Sequence, residues 1–305
     1  MKENQVSLTA QITAYIRAYH ARHHSPKIFD DFLAYQLIPD EQRTTIEQSL
    51  PNFLKYFDPE QAALCPDQAT ALEWVMRNML NVSTSICRAR YTEDSLETAL
   101  TEGVRQYVIL GAGLDTFAFR RPEMVNRLEV FEVDHPATQA FKRSRISELG
   151  WAQPKQLHFI PLDFTKEELP AALKRSSYDP QTLSFFSWLG VSYYLTRDTV
   201  LATLRAFAEV APAGSKIIFD YLDTDAFVPE RMAKNAQILH QVGERIGEPL
   251  KAGFDPSKLA GDLANLGLRL QENLSPADID RRYFEGHTDG HHASEHFNFA
   301  CAVVC

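Results

Sequence analysis

The sequence is poor in cysteine: four in 305 residues, none in a CxxC pair. That argues against a disulfide scaffold or a thiolate zinc knuckle and leaves Cys65, Cys87, Cys301 and Cys305 as expected free thiols. Long apolar runs are also missing. The strongest, Phe185 to Leu195, falls well short of the roughly 20 residues a membrane-spanning helix needs. Positive charge is scarce, with 31 Lys and Arg against 40 Asp and Glu for a net charge of −9. A broad phosphate-binding surface needs clustered cations, so neither nucleic acid nor a membrane is an expected partner. The opening MKENQVSLTA has no apolar signal-peptide core, and the expected location is cytoplasmic. No internal repeat, low-complexity tract or Pro/Gly/Ser-rich linker interrupts the chain. What remains, 45% hydrophobic and 23% charged residues, is the composition of a chain that buries a core of its own.

The pattern changes near residue 104. Before it, Leu8 to His20, Lys27 to Leu37 and Ala69 to Arg88 repeat apolar residues at three and four positions, as amphipathic helices do. Residues 1–103 are therefore expected to form a helical cap. After it, short apolar runs alternate with helical stretches. The runs are Gln106 to Leu110, Arg127 to Val133, Leu157 to Leu162, Leu183 to Leu189 and Ser215 to Tyr221; between them lie Pro136 to Leu149, a weaker stretch around Lys166 to Lys174, and Arg197 to Val210. Strands buried on both faces and joined by helices predict an α/β fold, a doubly wound Rossmann-like sheet over 104–305. Leu266 to Gln271 and Phe297 to Val304 are two further strands expected at one edge, with a helical insertion at about 226–266.

Function enters at the segment from Tyr107 to Asp115. There a β-type run ends in Gly111-Ala112-Gly113 and leads into a short helix containing Phe117 to Arg120. Glycine lets backbone approach a ligand closely, and a helix start offers unpaired N–H groups. Alone, such a GxG is weak evidence and a tight turn explains it nearly as well. Context adds to it: Glu132 and Asp134 close the next strand, where a carboxylate can accept from both hydroxyls of a cofactor ribose. Asp134, at the strand terminus beside Pro136, is the stronger candidate. The third strand ends in Asp163 and Phe164, placed to meet an adenine, although Asp163 serves equally as a helix cap.

Two residues separate the candidate cofactors. A dinucleotide fingerprint wants a third glycine where this chain has Thr116, and the Asp115 carboxylate would repel a pyrophosphate. S-adenosylmethionine has no phosphate and carries an ammonium and a sulfonium, for which Asp115 is an attraction. An NAD(P)-dependent oxidoreductase is thus the weaker alternative.

These motifs resemble the leucine carboxyl methyltransferase family, including its bacterial branch of S-adenosylmethionine-dependent methyltransferases. The resemblance rests on VILGAGLDTFAFR (108–120), VFEVDHP (130–136), PLDF (161–164) and WLGVSYYL (188–195). It continues into the cap through IRAYHARHHSPKIFDDFLA (16–34) and CRARYTEDSL (87–96). It implies a seven-stranded class I methyltransferase domain under a helical cap, and methyl transfer to an oxygen, often of a carboxylate. It further implies Gly111, Ala112, Gly113 and Asp115 as the cradle, Asp134 on the ribose and Asp163 with Phe164 on the adenine. Arg17 and Arg90 would lie near the cofactor's carboxylate, with Arg88 competing for the second role. Where many relatives have Glu before the Leu/Gly pair of the fourth strand, this chain has Trp188. That departure keeps open a second alternative, a cofactor-binding protein without turnover.

A carboxylate acceptor, on a small molecule or a peptide, is already nucleophilic and needs no base; a hydroxyl acceptor needs one. No residue stands out as that base, so the catalytic set is unassigned. Trp188 and Tyr194 are candidates for an acceptor-pocket wall. His287, His291, His292 and His296 cluster in sequence, but Gly286, Asp289 and Gly290 make that segment a loop and no familiar zinc spacing is completed, so no metal is expected. The oligomeric state is not legible.

Overall fold

The computed structural model describes residues 6–79, 82–164, 166–288 and 291–305. Six helices precede the sheet: α1 (Leu8–His23), α2 (Ala34–Leu37), α3 (Asp40–Phe57), α4 (Pro59–Leu64), α5 (Gln68–Asn78) and α6 (Val82–Thr101). Two departures from the expected helices have local causes. The stretch from Lys27 is helical only from Ala34, because the amides of Ile28 and Phe29 turn to the ring of His20, and the Asp31 carboxylate takes the Ala34 amide. The stretch from Ala69 divides into α5 and α6, with Met79 closing the first on the Val75 carbonyl.

The sheet follows as β1 (Gln106–Leu110), α7 (Phe117–Arg120), α8 (Pro122–Val125), β2 (Glu129–Asp134), α9 (Pro136–Glu148), β3 (Leu157–Pro161), α10 (Leu169–Lys174), β4 (Ser184–Trp188), α11 (Arg197–Val210) and β5 (Lys216–Leu222). The chain finishes with α12 (Lys234–Ile246), α13 (Leu259–Ala264), β6 (Leu268–Leu274), α14 (Pro276–Tyr283) and β7 (Phe297–Val304). The strand order is β3-β2-β1-β4-β5-β7-β6. β1 to β5 run parallel, and β7 is antiparallel to both neighbours.

Alternation along the central strands sends side chains to two cores. Tyr107, Ile109, Val130 and Phe185 pack with the cap helices, while Val108, Leu110, Phe131 and Phe186 pack with α11 through Phe207. β1 and β4 are neighbours, so the chain leaves β1 toward one edge and returns through β4 toward the other. The crevice at this reversal, beyond the strands' carboxyl ends, is where open α/β sheets bind ligands.

Candidate active site

The crevice is a cavity of about 580 Å³. Its floor is the turn after β1. Gly111 and Gly113 both have left-handed backbone, with φ of +66° and +52°. A Cβ at Gly111 would meet Val191 at 3.1 Å, and one at Gly113 would meet the Ala10 methyl at 3.1 Å. Glycine is therefore required twice over, by conformation and by space. The Ala10 contact also shows that α1 lies directly on the cradle, and Thr9, Ile12, Thr13, Ile16 and Arg17 of that helix line the cavity.

Asp134 emerges at the end of β2. One carboxylate oxygen accepts from the Gly113 amide, and the other accepts from the His135 amide at 2.6 Å. Burial raises its pKa against the pull of those two amides. A carboxylate so placed is costly to desolvate and gains from further donors. Asp115 lines the same space, with Oδ1 accepting from the Phe117 amide at 2.7 Å.

Arg88 of α6 also lines the cavity. Its Nη1 donates to Asp220 Oδ2 at 2.8 Å and to the Tyr193 hydroxyl at 3.2 Å. Burial opposes its charge, but the Asp220 carboxylate prevails and raises the guanidinium pKa. Gly190 makes room for this group, since a Cβ there would sit 2.7 Å from Arg88 Nη2. The remaining wall comes from η-turn residues Tyr193 and Tyr194, from Ile238, Leu239 and Val242 on α12, and from Glu248, whose carboxylate accepts from Thr9 Oγ1 at 2.8 Å. Burial lifts the Tyr194 phenol to about 12, so it is a neutral donor at neutral pH.

Of the residues expected from sequence, Gly111, Ala112, Gly113, Asp115, Asp134, Arg17 and Tyr194 come together on this cavity. Others do not. Glu132 is 1% exposed and pairs with Lys142 of α9 at 2.5 Å beneath the cradle, so Asp134 alone of the two acids lines the cavity. Arg90 pairs with Asp94 along α6 and is half exposed; Arg88, half a turn earlier, faces the cavity instead. Asp163 pairs with Lys166 at 3.5 Å and Phe164 is 45% exposed; β3 is the outermost strand, and neither residue is on the cavity wall. Trp188 is 1% exposed and packs edge-on to Phe207 in the core, not on the cavity wall.

The four clustered histidines disperse. His296 accepts the Ala233 amide and bonds Asp223, His287 follows the end of α14, and Asp289 and Gly290 lie outside the described residues. His291 instead joins His20 and His24: His24 Nδ1 lies 3.0 Å from His20 Nδ1 and 3.2 Å from His291 Nε2. Because His20 Nε2 accepts from the Ile28 amide at 2.9 Å, its neutral ring carries the proton on Nδ1. A metal at the convergence point would need a lone pair at that atom, so the arrangement reads as a hydrogen-bonded staple between α1 and the loop before β7.

Sequence reasoning passed over Asp31, Asp220 and Glu93, the last lining the cavity and paired with Arg120 and Arg121. The signal for Asp220 was there: a carboxylate inside the apolar run KIIFDYL demands a buried partner. Asp31 and Glu93 looked like ordinary helix-surface charges and carried no such signal.

The fold is that of a class I S-adenosylmethionine-dependent methyltransferase. The leucine carboxyl methyltransferase family model matches residues 10–208. YktD of Bacillus subtilis (strain 168), named as a candidate S-adenosyl-L-methionine-dependent methyltransferase, is 39% identical over 99% of both chains. Among solved structures, a candidate methyltransferase from Thermobifida fusca YX superposes with a TM-score of 0.58 at 12% identity, covering 99% of this chain and 96% of that one. A DUF574 family protein from Streptomyces avermitilis MA-4680 superposes with a TM-score of 0.56 at 14% identity over 99% of both, a likeness of fold alone. The chain belongs to the leucine carboxyl methyltransferase family.

Proposed function

We propose that the protein methylates the oxygen of a carboxylate on a small molecule or peptide. The observation that carries this reading is the composition of the cavity wall on the acceptor side. It holds Tyr194 as a neutral phenol, aliphatic side chains from α1 and α12, and Glu248, already engaged by Thr9; beyond the cradle acids Asp115 and Asp134, the remaining carboxylate on the cavity is Glu93, which is paired with Arg120 and Arg121. No histidine is among the residues lining it. A hydroxyl acceptor would need a base there, whereas an ionised carboxylate is nucleophilic as it arrives.

The chain's own groups suit the cofactor. Asp134 would offer its remaining lone pairs to the ribose hydroxyls, Asp115 would attract the ammonium, and Arg88 would offer its unengaged N–H groups to the carboxylate. Ile109, Leu110 and Ala112 keep the neighbouring wall apolar and exclude water. When bound, the cofactor would supply an electrophilic methyl carbon on a sulfonium, so that the acceptor's O–C bond would form as the C–S bond broke with its electron pair going to sulfur, and the cavity's residues would hold acceptor oxygen and methyl in line.

The test is to incubate the protein with cofactor labelled in the methyl group and a panel of carboxylic acids, then treat the product with alkali. A methyl ester releases labelled methanol; a label that survives alkali marks an ether or amine product and refutes carboxylate methylation.

A further inference from the structure

Behind the cradle lies a charge arrangement that the cofactor contacts do not use. The Asp31 side chain is 1% exposed, in the loop between α1 and α2. Its Oδ2 accepts from Arg17 Nε at 2.8 Å, and its Oδ1 accepts from the Thr116 hydroxyl at 2.5 Å and the Ala34 amide at 3.2 Å. Arg120 Nε lies 3.7 Å from the same carboxylate and donates to the Thr116 hydroxyl at 3.3 Å. Arg17 spends a second donor, Nη2, on the Leu114 carbonyl at 2.9 Å, one residue before Asp115. Two guanidiniums therefore stand close behind Asp115, and Arg120 is near enough to feel its charge. Thr116, which occupies the place of a dinucleotide fingerprint's third glycine, is the residue through which the cradle grips Asp31.

We infer that Asp31 is a positioning residue: as counter-ion to Arg17, it holds that guanidinium away from Asp115 and so keeps the Asp115 carboxylate available to a cationic ligand group. Opposite charges in a partly buried site attract strongly, and a released Arg17, already bonded to the carbonyl that precedes Asp115, would be drawn to that carboxylate. Asp31 would then determine recognition of the cofactor's ammonium without touching the cofactor. The inference rests on the reading of Asp115 as the ammonium contact.

The experiment is calorimetric titration with two probes, S-adenosylhomocysteine and 5′-methylthioadenosine, which shares the nucleoside and thioether but lacks the amino-acid end. Asp31→Asn is expected to weaken S-adenosylhomocysteine about tenfold and to leave methylthioadenosine within about twofold. The double variant D31N/R17Q, which removes the competing cation, is expected to recover most of the lost discrimination. A general loosening of the cradle would weaken both probes alike, and that result, or a double variant without recovery, overturns the inference. Should Asp31→Asn fail to fold, the double variant decides alone: discrimination near the wild-type ratio supports the role, and its collapse refutes it. Asp115→Asn separates the two levels. If it leaves the probe ratio unchanged, the ammonium assignment itself fails; if it collapses the ratio while Asp31→Asn does not, only the role of Asp31 fails.

Discussion

Arg88 and Asp220 form a buried ion pair at 2.8 Å beside the cavity, with the Asp220 side chain fully buried and its other oxygen accepting the Gly190 amide at 2.7 Å. The pair joins cap helix α6 to strand β5 and to the glycine turn after β4. It also accounts for the WLG motif in spatial terms, since Gly190 leaves the volume that the guanidinium fills.

Removing one member of such a pair strands a charge in the interior. Arg88→Met is expected to destabilise the fold by about 3 to 5 kcal/mol, read from the denaturant midpoint, because Asp220 is left without its counter-ion. Arg88→Lys should keep much of that stability while losing cofactor affinity, since an ammonium cannot serve Asp220, Tyr193 and a ligand in one plane. Equal stability of Arg88→Met and the wild type would contradict the assignment.

Gly113→Val meets two obstacles, a φ of +52° and the Ala10 methyl 3.1 Å from the new Cβ. The expected result is a folded or mildly destabilised protein that no longer binds S-adenosylhomocysteine, with α1 displaced from the cradle and exposed to limited proteolysis. Wild-type affinity in a folded variant would remove the cradle from the binding site.

Trp188 and Tyr194 separate core from wall. Trp188→Ala should cost about 3 to 5 kcal/mol of stability through the cavity it leaves, and acceptor preference measured on the folded fraction should not change. Tyr194→Phe should leave stability nearly intact and shift the KM for the acceptor. The reverse pattern would place the acceptor on the other side of β4.

Glu132 supplies a pH dependence. Burial raises its carboxyl from the usual 4.5 to about 7 despite the Lys142 ammonium beside it. A carboxyl whose pKa is raised on folding contributes stability that is complete below the unfolded value and is lost as pH climbs through the folded value. The wild type should thus lose up to about 3 kcal/mol of stability between pH 4.5 and 7 from this group. The double variant E132Q/K142M should lack that component, and the comparison of the two stability–pH curves measures it. Parallel curves would contradict the raised value.

Much of the sheet and its helices was legible because periodicity and buried apolar runs are local signals: strands Gln106–Leu110 and Phe297–Val304 and helix Arg197–Val210 fall where the pattern placed them. The cradle was legible because glycine at Gly111 and Gly113, with acids at Asp115 and Asp134, is a local pattern too. What sequence alone left open depended on which way a side chain turns. Arg88 and Arg90 are two residues apart on one helix, and only packing decides which faces inward. Glu132 and Asp134 share a strand face, and only the position of the strand end decides which clears the sheet. Asp31 reaches Thr116 across 85 positions of chain, a partnership that no local pattern reports.

The central claim is that the cavity at the β1–β4 reversal holds the cofactor through Asp134. Isothermal calorimetry with S-adenosylhomocysteine tests it without the acceptor: the account predicts micromolar binding by the wild type, weakened by about 1 to 3 kcal/mol in Asp134→Ala. No binding by the wild type, or unchanged affinity in Asp134→Ala, would contradict it.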